Sequence, residues 1–136
     1  MSNNQFYIKT NVSLREYKIH NYVYNLNIVK IPKIYEYNVK DKTMKMEKIP
    51  NMNIADMYGE EAININNKLF NKIRKIIKTL YLHNIEYIDI TGYNFIEYKN
   101  KVWIIDFEHA SFKFIITNKF LKKFIKGENK WNEKFK

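Results

Sequence analysis

Cysteine is absent from the chain. Its absence excludes disulfides, thiolate nucleophiles and cysteine-ligated metal centres, and it suits a reducing compartment, so the cytoplasm is the expected location. Glycine occurs three times and proline twice. No linker rich in Ser, Gly or Pro divides the chain and no internal repeat is visible, so it reads as undivided. Arginine is limited to Arg15 and Arg74. Long apolar runs are missing too: none approaches the roughly 18–20 residues that cross a bilayer. Residues 1–4 are polar and lack the apolar segment of a signal peptide. The three histidines, His20, His83 and His109, are widely spaced with no pair at i, i+4, which argues against a zinc site.

What is present points to one small globular domain. The length of 136 residues suits a single domain, able to bury roughly two-thirds of its unfolded surface. Hydrophobic residues are 46% and charged residues 28%, a globular rather than a disordered balance. Lys and Arg number 24 against 14 Asp and Glu, a net charge of +10. Such an excess attracts polyanions: nucleic acid, acidic lipid or nucleotide phosphates. The excess is lysine, which draws phosphate as a point charge but lacks the planar fork that reads bases. Lys, Asn, Ile, Tyr and Phe are also residues of AT-rich codons. A solvated basic surface is therefore the favoured explanation and nucleic-acid binding its rival.

Periodicity gives an order of elements. Residues 5–9 suit a short strand. Ser13 with Glu16 three residues on is a capping-box pattern. It opens a helix to about residue 25, with Leu14, Tyr17, Tyr24 and Leu26 as a loose apolar face. After Pro32, strands at 33–38 and 43–48 form a hairpin turned around Asn38, Lys40, Asp41 and Lys42. Pro50 ends the second strand, and 51–59 is a connector with one helical turn. The clearest helix spans 62–83. Ile65, Leu69, Ile73, Ile76, Ile77 and Leu80 form its apolar stripe, with Lys68, Lys72, Lys75 and Lys78 toward the other side. Residues 85–93 are irregular. A second hairpin, 95–98 with 102–105, turns at 99–101 and places Trp103 in the core. A last helix at 118–126 buries Phe120, Leu121, Phe124 and Ile125 and stops near Gly127. Trp131 lies in the basic tail, placed to cover an exposed edge. The fold class is α+β, not an alternating βαβ chain.

Chemistry concentrates at residues 82–110, LHNIEYIDITGYNFIEYKNKVWIIDFEHA. A long helix ends at His83, a loop presents Asp89, Asn94 begins a strand, and the paired strand ends in Asp106-Phe107. Three oxygen-bearing side chains thus gather at the ends of one hairpin. Asp and Asn supply the hard oxygen ligands that Mg²⁺ prefers, and a further Asp can orient or deprotonate an attacking hydroxyl.

On these residues the chain resembles the protein-kinase-like superfamily. Asp89-Ile90-Thr91-Gly92-Tyr93-Asn94 has the D-x4-N spacing of a kinase catalytic loop, and Asp106-Phe107-Glu108 is similar to the metal-binding DFG. The resemblance implies Asp89 as catalytic base, with Asn94 and Asp106 as Mg²⁺ ligands. Upstream, 15–19 resembles the start of a kinase C-helix and 32–38 the fourth strand. Residues 43–49 resemble the fifth strand and hinge, with Met46 as gatekeeper and the backbone from Glu47 to Ile49 contacting adenine. Phe6-Tyr7-Ile8-Lys9 resembles the end of the third strand, making Lys9 the phosphate-pairing lysine and Glu16 its ionic partner. The matched order covers about 5–112. The implied architecture is a minimal kinase-like fold with a reduced N-lobe sheet, a C-helix, a long helix and a catalytic-loop hairpin. It forms one truncated domain over 1–136, with an N-lobe remnant and hinge at 5–58 and a reduced C-lobe at 59–136.

The departures are equally specific. None of the three glycines precedes Lys9, so no glycine-rich loop is present, and the first two N-lobe strands have no counterpart. Tyr87, Ile88 and Thr91 replace the His, Arg and Lys of a kinase catalytic loop, which resembles small atypical kinases such as those of the tRNA-modifying complex. Glu108 replaces the Gly of DFG, as in kinases of the choline and aminoglycoside type. No Ala-Pro-Glu motif follows Ser111. The compaction and composition resemble a gene product of a large AT-rich DNA virus, which would place the protein in the host cytoplasm or the virion.

The implied function is transfer of the γ-phosphoryl of ATP, with Mg²⁺, to a hydroxyl of a protein, Ser/Thr by default, or of a small molecule. Plainer readings stand beside it. Asp89, Asp106 and Asn94 suit turns, and Glu16 suits the second half of a capping box. Two rival functions are a pseudokinase serving as a binding module and a basic nucleic-acid-binding protein. A truncated fold exposes apolar surface where missing parts would pack, so a homo-oligomer or a protein partner is expected.

Overall fold

A computed structural model describes residues 6–135. Three antiparallel strands, β1 (Phe6–Lys9), β2 (Ile34–Asn38) and β3 (Thr43–Glu47), form a sheet in the order β1-β3-β2. Alternation along β3 buries Met44 and Met46 on one face, while Lys45 lies over the Phe6 ring on the other. In register, Lys9 faces Met44 and Tyr7 faces Met46. The edge strand β1 leaves Phe6, Tyr7 and Ile8 exposed. The expected start of this strand at Gln5 lies outside the described residues.

Helix α1 (Leu14–Leu26) begins where the capping pattern placed it. The Ser13 hydroxyl accepts the Glu16 N–H at 3.1 Å, but the Glu16 carboxylate turns away to Lys9, so only half of the box forms. The buried face is Glu16, Ile19, His20 and Val23, not the expected Leu14, Tyr17, Tyr24 and Leu26. Two polar residues are tolerated inside because each has a partner. Glu16 meets Lys9, and His20 Nε2 lies 2.8 Å from the Pro32 carbonyl oxygen.

A one-turn helix α2 (Ile54–Tyr58) follows, capped by Asn53. The long helix α3 (Asn67–Leu82) starts five residues later than periodicity suggested. The Asn66 side chain accepts the Leu69 N–H at 2.8 Å, and Asn66 itself is extended, so Ala62–Asn64 forms a separate 3-10 turn. Every residue of the expected stripe is buried.

Two further pairings complete the lower half. The two-residue strands β4 (Ile85–Glu86) and β7 (Ser111–Phe112) pair antiparallel, within or beside stretches that read as irregular. Strands β5 (Phe95–Tyr98) and β6 (Lys101–Ile104) form the expected hairpin, turned by Lys99 and Asn100 at φ of +50° and +67°. Val102 and Ile104 enter the core, whereas Trp103 faces the opposite side, half-buried beneath Lys30. The expectation of a core Trp103 fails because strand neighbours alternate faces. Helix α4 (Lys119–Ile125) buries Leu121 and Phe124 and leaves Phe120 and Ile125 half-buried. Trp131 is a core residue, its ring 4.6 Å from that of Phe70, rather than an edge cover. No helix of the described residues is long and apolar enough to cross a membrane.

Candidate functional site

A cleft of about 400 Å³ opens between the three-stranded sheet and the end of the β5–β6 hairpin. Its lining includes Lys9, Met46, Glu47, Ile49, Ile105 and Asp106. Lys9 ends β1 and reaches across: its Nζ pairs with Glu16 of α1 and lies 3.0 Å from Asp106 Oδ1. Burial alone would lower the Lys9 pKa, but the charge of Asp106 and the contacts with Glu16 outweigh it and leave it raised. Glu16 is pushed upward by burial, against the pull of Lys9.

Asp106 is held from both sides. Its Oδ1 accepts the Glu108 N–H at 2.8 Å, and its carbonyl oxygen accepts the Tyr87 hydroxyl. Tyr87 is fully buried, which raises its pKa well above the ordinary value and keeps it a donor. Phe107 packs under the cluster, against Tyr87 at 5.5 Å and His20 at 5.4 Å between ring centroids. Burial lowers the His20 pKa to about 4, so that ring is neutral at pH 7.

Asp89 sits in the loop after β4, and Asn94 ends the 3-10 turn Gly92–Asn94. Asn94 Nδ2 donates to the Asp89 carbonyl at 2.7 Å, and the Asn94 carbonyl accepts the Ile105 N–H at 3.0 Å. The loop is thereby tied to the strand that delivers Asp106. The Asp89 carboxylate lies 3.9 Å from His109 Nε2. Burial raises its pKa, with the charge of Asp106 adding and Asn94 and His109 opposing.

The structure therefore brings Lys9, Glu16 and Asp106 into one ion-paired cluster and links Asp89 to Asn94 beside it. Asp106 lines the cleft, while Asp89 and Asn94 do not. Glu47 and Ile49 line it at the far end, where the Glu47 N–H donates to the Lys33 carbonyl and the Ile49 carbonyl accepts the Asn51 N–H. Among the described residues no three acidic or histidine side chains converge on a metal position.

Sequence reasoning missed Asn132. Its N–H donates to the Ile90 carbonyl and its Nδ2 to the Ile88 carbonyl, both at 2.8 Å. The tail thus grips Asp89 on both sides. The only signal was the pair of aromatics, Trp131 and Phe135, in a tail rich in polar residues.

Together the small sheet, α1, the long helix and the β5–β6 hairpin define a kinase-like α+β fold. Among solved structures the chain is similar to the kinase PK-1 of Cydia pomonella granulovirus, at 16% identity and a TM-score of 0.59. The match covers 87% of this chain and 47% of that one, so the chain spans about half the length of that kinase. At this identity the likeness establishes the fold. No family model and no curated protein matches the sequence.

Proposed function

We propose that the chain binds ATP with Mg²⁺ in the cleft and transfers the γ-phosphoryl group to a hydroxyl. The observation that carries this reading is Lys9 set between Glu16 and Asp106 at the cleft. A lysine held by two carboxylates from different elements is pre-positioned as a phosphate contact, and its raised pKa keeps it charged at neutral pH. The hinge backbone from Glu47 to Ile49, beside Met46, would take the adenine.

Asp106 and the amide oxygen of Asn94 would hold Mg²⁺. Two protein oxygens suit this ion, which completes its shell with phosphate oxygens and water. Bound there, the ion would neutralise charge on the phosphates. Asp89 would accept the proton of the acceptor hydroxyl as its oxygen attacks the γ-phosphorus and the bond from phosphorus to the bridging oxygen breaks, releasing ADP. The raised pKa of Asp89 makes it a better base than an ordinary aspartate, and turnover falls as pH drops through that pKa. Tyr87 and the Glu108 N–H fix the orientation of Asp106. A protein Ser/Thr hydroxyl is the default acceptor by analogy of fold, and a small-molecule hydroxyl the alternative.

Thermal unfolding with ATP, with and without Mg²⁺, tests the reading. Wild type should show a Mg²⁺-dependent rise in Tm that Asp106→Asn loses. No rise in wild type at millimolar ATP overturns it. One observation favours a pseudokinase instead: Tyr7 lines the cleft from an edge strand and is itself exposed, so that side is open. A Mg²⁺-ATP shift without phosphoryl transfer to any hydroxyl acceptor would select that reading.

A further inference from the structure

The positive charge is not evenly spread. Helix α3 carries Lys68, Lys72, Arg74, Lys75 and Lys78, and α4 carries Lys119, Lys122 and Lys123, with no acidic residue in either. These two helices, sixteen and seven residues long, pack against each other and hold eight of the net ten charges. The rest of the chain is nearly balanced. AT-rich codons explain many lysines, but they do not gather one sign onto one pair of helices.

Two of these cations have internal work. Arg74 donates to the carbonyls of Phe124 and Asn129 at 2.9 and 2.8 Å, which stitches α4 and the tail onto α3. Lys72 donates to the Asn100 carbonyl at 2.9 Å. The other six are exposed. The ion pairs seen at Lys9 and His109 involve none of these six. Like charges gathered in this way repel one another until a counter-charge arrives.

The chemistry of the face narrows that counter-charge. Lys68, Lys75 and Lys78 rise about 15 Å along α3 at 1.5 Å per residue, within reach of several phosphates spaced ~3.4 Å along one strand. Stacking on unpaired bases needs exposed rings, yet of the four rings on these helices Phe70 and Phe124 are buried and Tyr81 and Phe120 are half-buried. Reading base edges favours a free guanidinium, yet Arg74 is committed internally. We infer that the α3–α4 face binds double-stranded nucleic acid through its phosphate backbone, without sequence preference. No residue of either helix lines the cleft, so this inference does not rest on nucleotide binding there.

Fluorescence anisotropy with labelled duplex DNA and duplex RNA tests it, with the single strand and phosphatidylserine vesicles as comparators. At least one duplex should bind, with log K falling against log salt at a slope of roughly −4 to −5 for about four to six neutralised phosphates. The triple variant Lys68→Glu, Lys75→Glu, Lys78→Glu should lose more than about tenfold in affinity with Tm unchanged, and Lys75→Glu alone a smaller part. A control triple of equal charge, Lys18→Glu, Lys40→Glu, Lys113→Glu, should lose far less. Absence of duplex binding at low salt overturns the inference. So does equal loss in both triples, a preference for single strands, or binding to vesicles alone.

Discussion

His20 shows how one residue couples the site to pH. It is buried beside Phe107, with its Nε2 on the Pro32 carbonyl. Its pKa falls from 6.5 unfolded to about 4 folded. A lowered folded pKa gives stability that is full above 6.5 and is lost as pH falls toward 4. At 1.36 kcal/mol per unit, the loss at pH 5 is about 2 kcal/mol relative to pH 7. Glu16 and Asp89 have raised pKa values and act in the opposite sense, so a difference between variants is needed. His20→Gln keeps an N–H donor but does not titrate. Urea unfolding at pH 7 and pH 5 should show the variant losing about 2 kcal/mol less than wild type, and parallel losses would refute this. None of it was legible in the sequence, where His20 was one of three scattered histidines. The same holds for Glu16, whose capping position and ion pair turn out to be compatible. Its backbone serves the cap and its carboxylate serves Lys9.

At the scale of elements, local signals were most reliable where one interaction decides the geometry. Ser13, Asn53, Asn66 and Asn118 each cap a helix through a side-chain oxygen. Of these only Ser13 is legible as a cap in the sequence, and Asn66 starts α3 five residues later than periodicity suggests. The strands β4 and β7 were not legible because two residues carry no period, and their pairing joins positions far apart in the chain, Ile85 with Phe112 and Glu86 with Ser111. Gly92 marks where two elements nearly touch. A Cβ there would lie 2.8 Å from the Ala55 nitrogen and 3.1 Å from its Cα, main-chain atoms of α2 that have no rotamer to change. Gly92→Ala should therefore cost about 1–3 kcal/mol, a fall of roughly 4–10 °C in Tm. An unchanged Tm would mean that α2 moves aside freely.

At the scale of the whole molecule, the tail closes the lower half. Trp131 fills the core beside Phe70, and Asn132 bonds the carbonyls on either side of Asp89. Trp131→Ala should cost about 3–5 kcal/mol in chemical denaturation, as for other buried aromatics. Asn132→Ala should cost about 0.5–1.5 kcal/mol, because it removes the Nδ2 donor to the Ile88 carbonyl while the backbone N–H to the Ile90 carbonyl remains. A cost under 1 kcal/mol for Trp131→Ala would show that the tail is not part of the core. The tail residues Trp131 and Asn132 thus form part of the core and loop packing of this kinase-like fold.

The sequence by itself determined the α+β class, the hairpins, the long amphipathic helix and the spacing of Asp89, Asn94 and Asp106. Each of these depends on periodicity, caps or turn residues acting over a few positions. Only the tertiary structure decided that Lys9 reaches both Glu16 and Asp106, that α1 buries Glu16 and His20, and that Trp131 belongs to the core. It also decided that the two lysine-rich helices, α3 and α4, pack against each other. Those outcomes depend on how the sheet, helices and tail pack, and a buried ion pair or ring contact forms only when distant segments have been brought together.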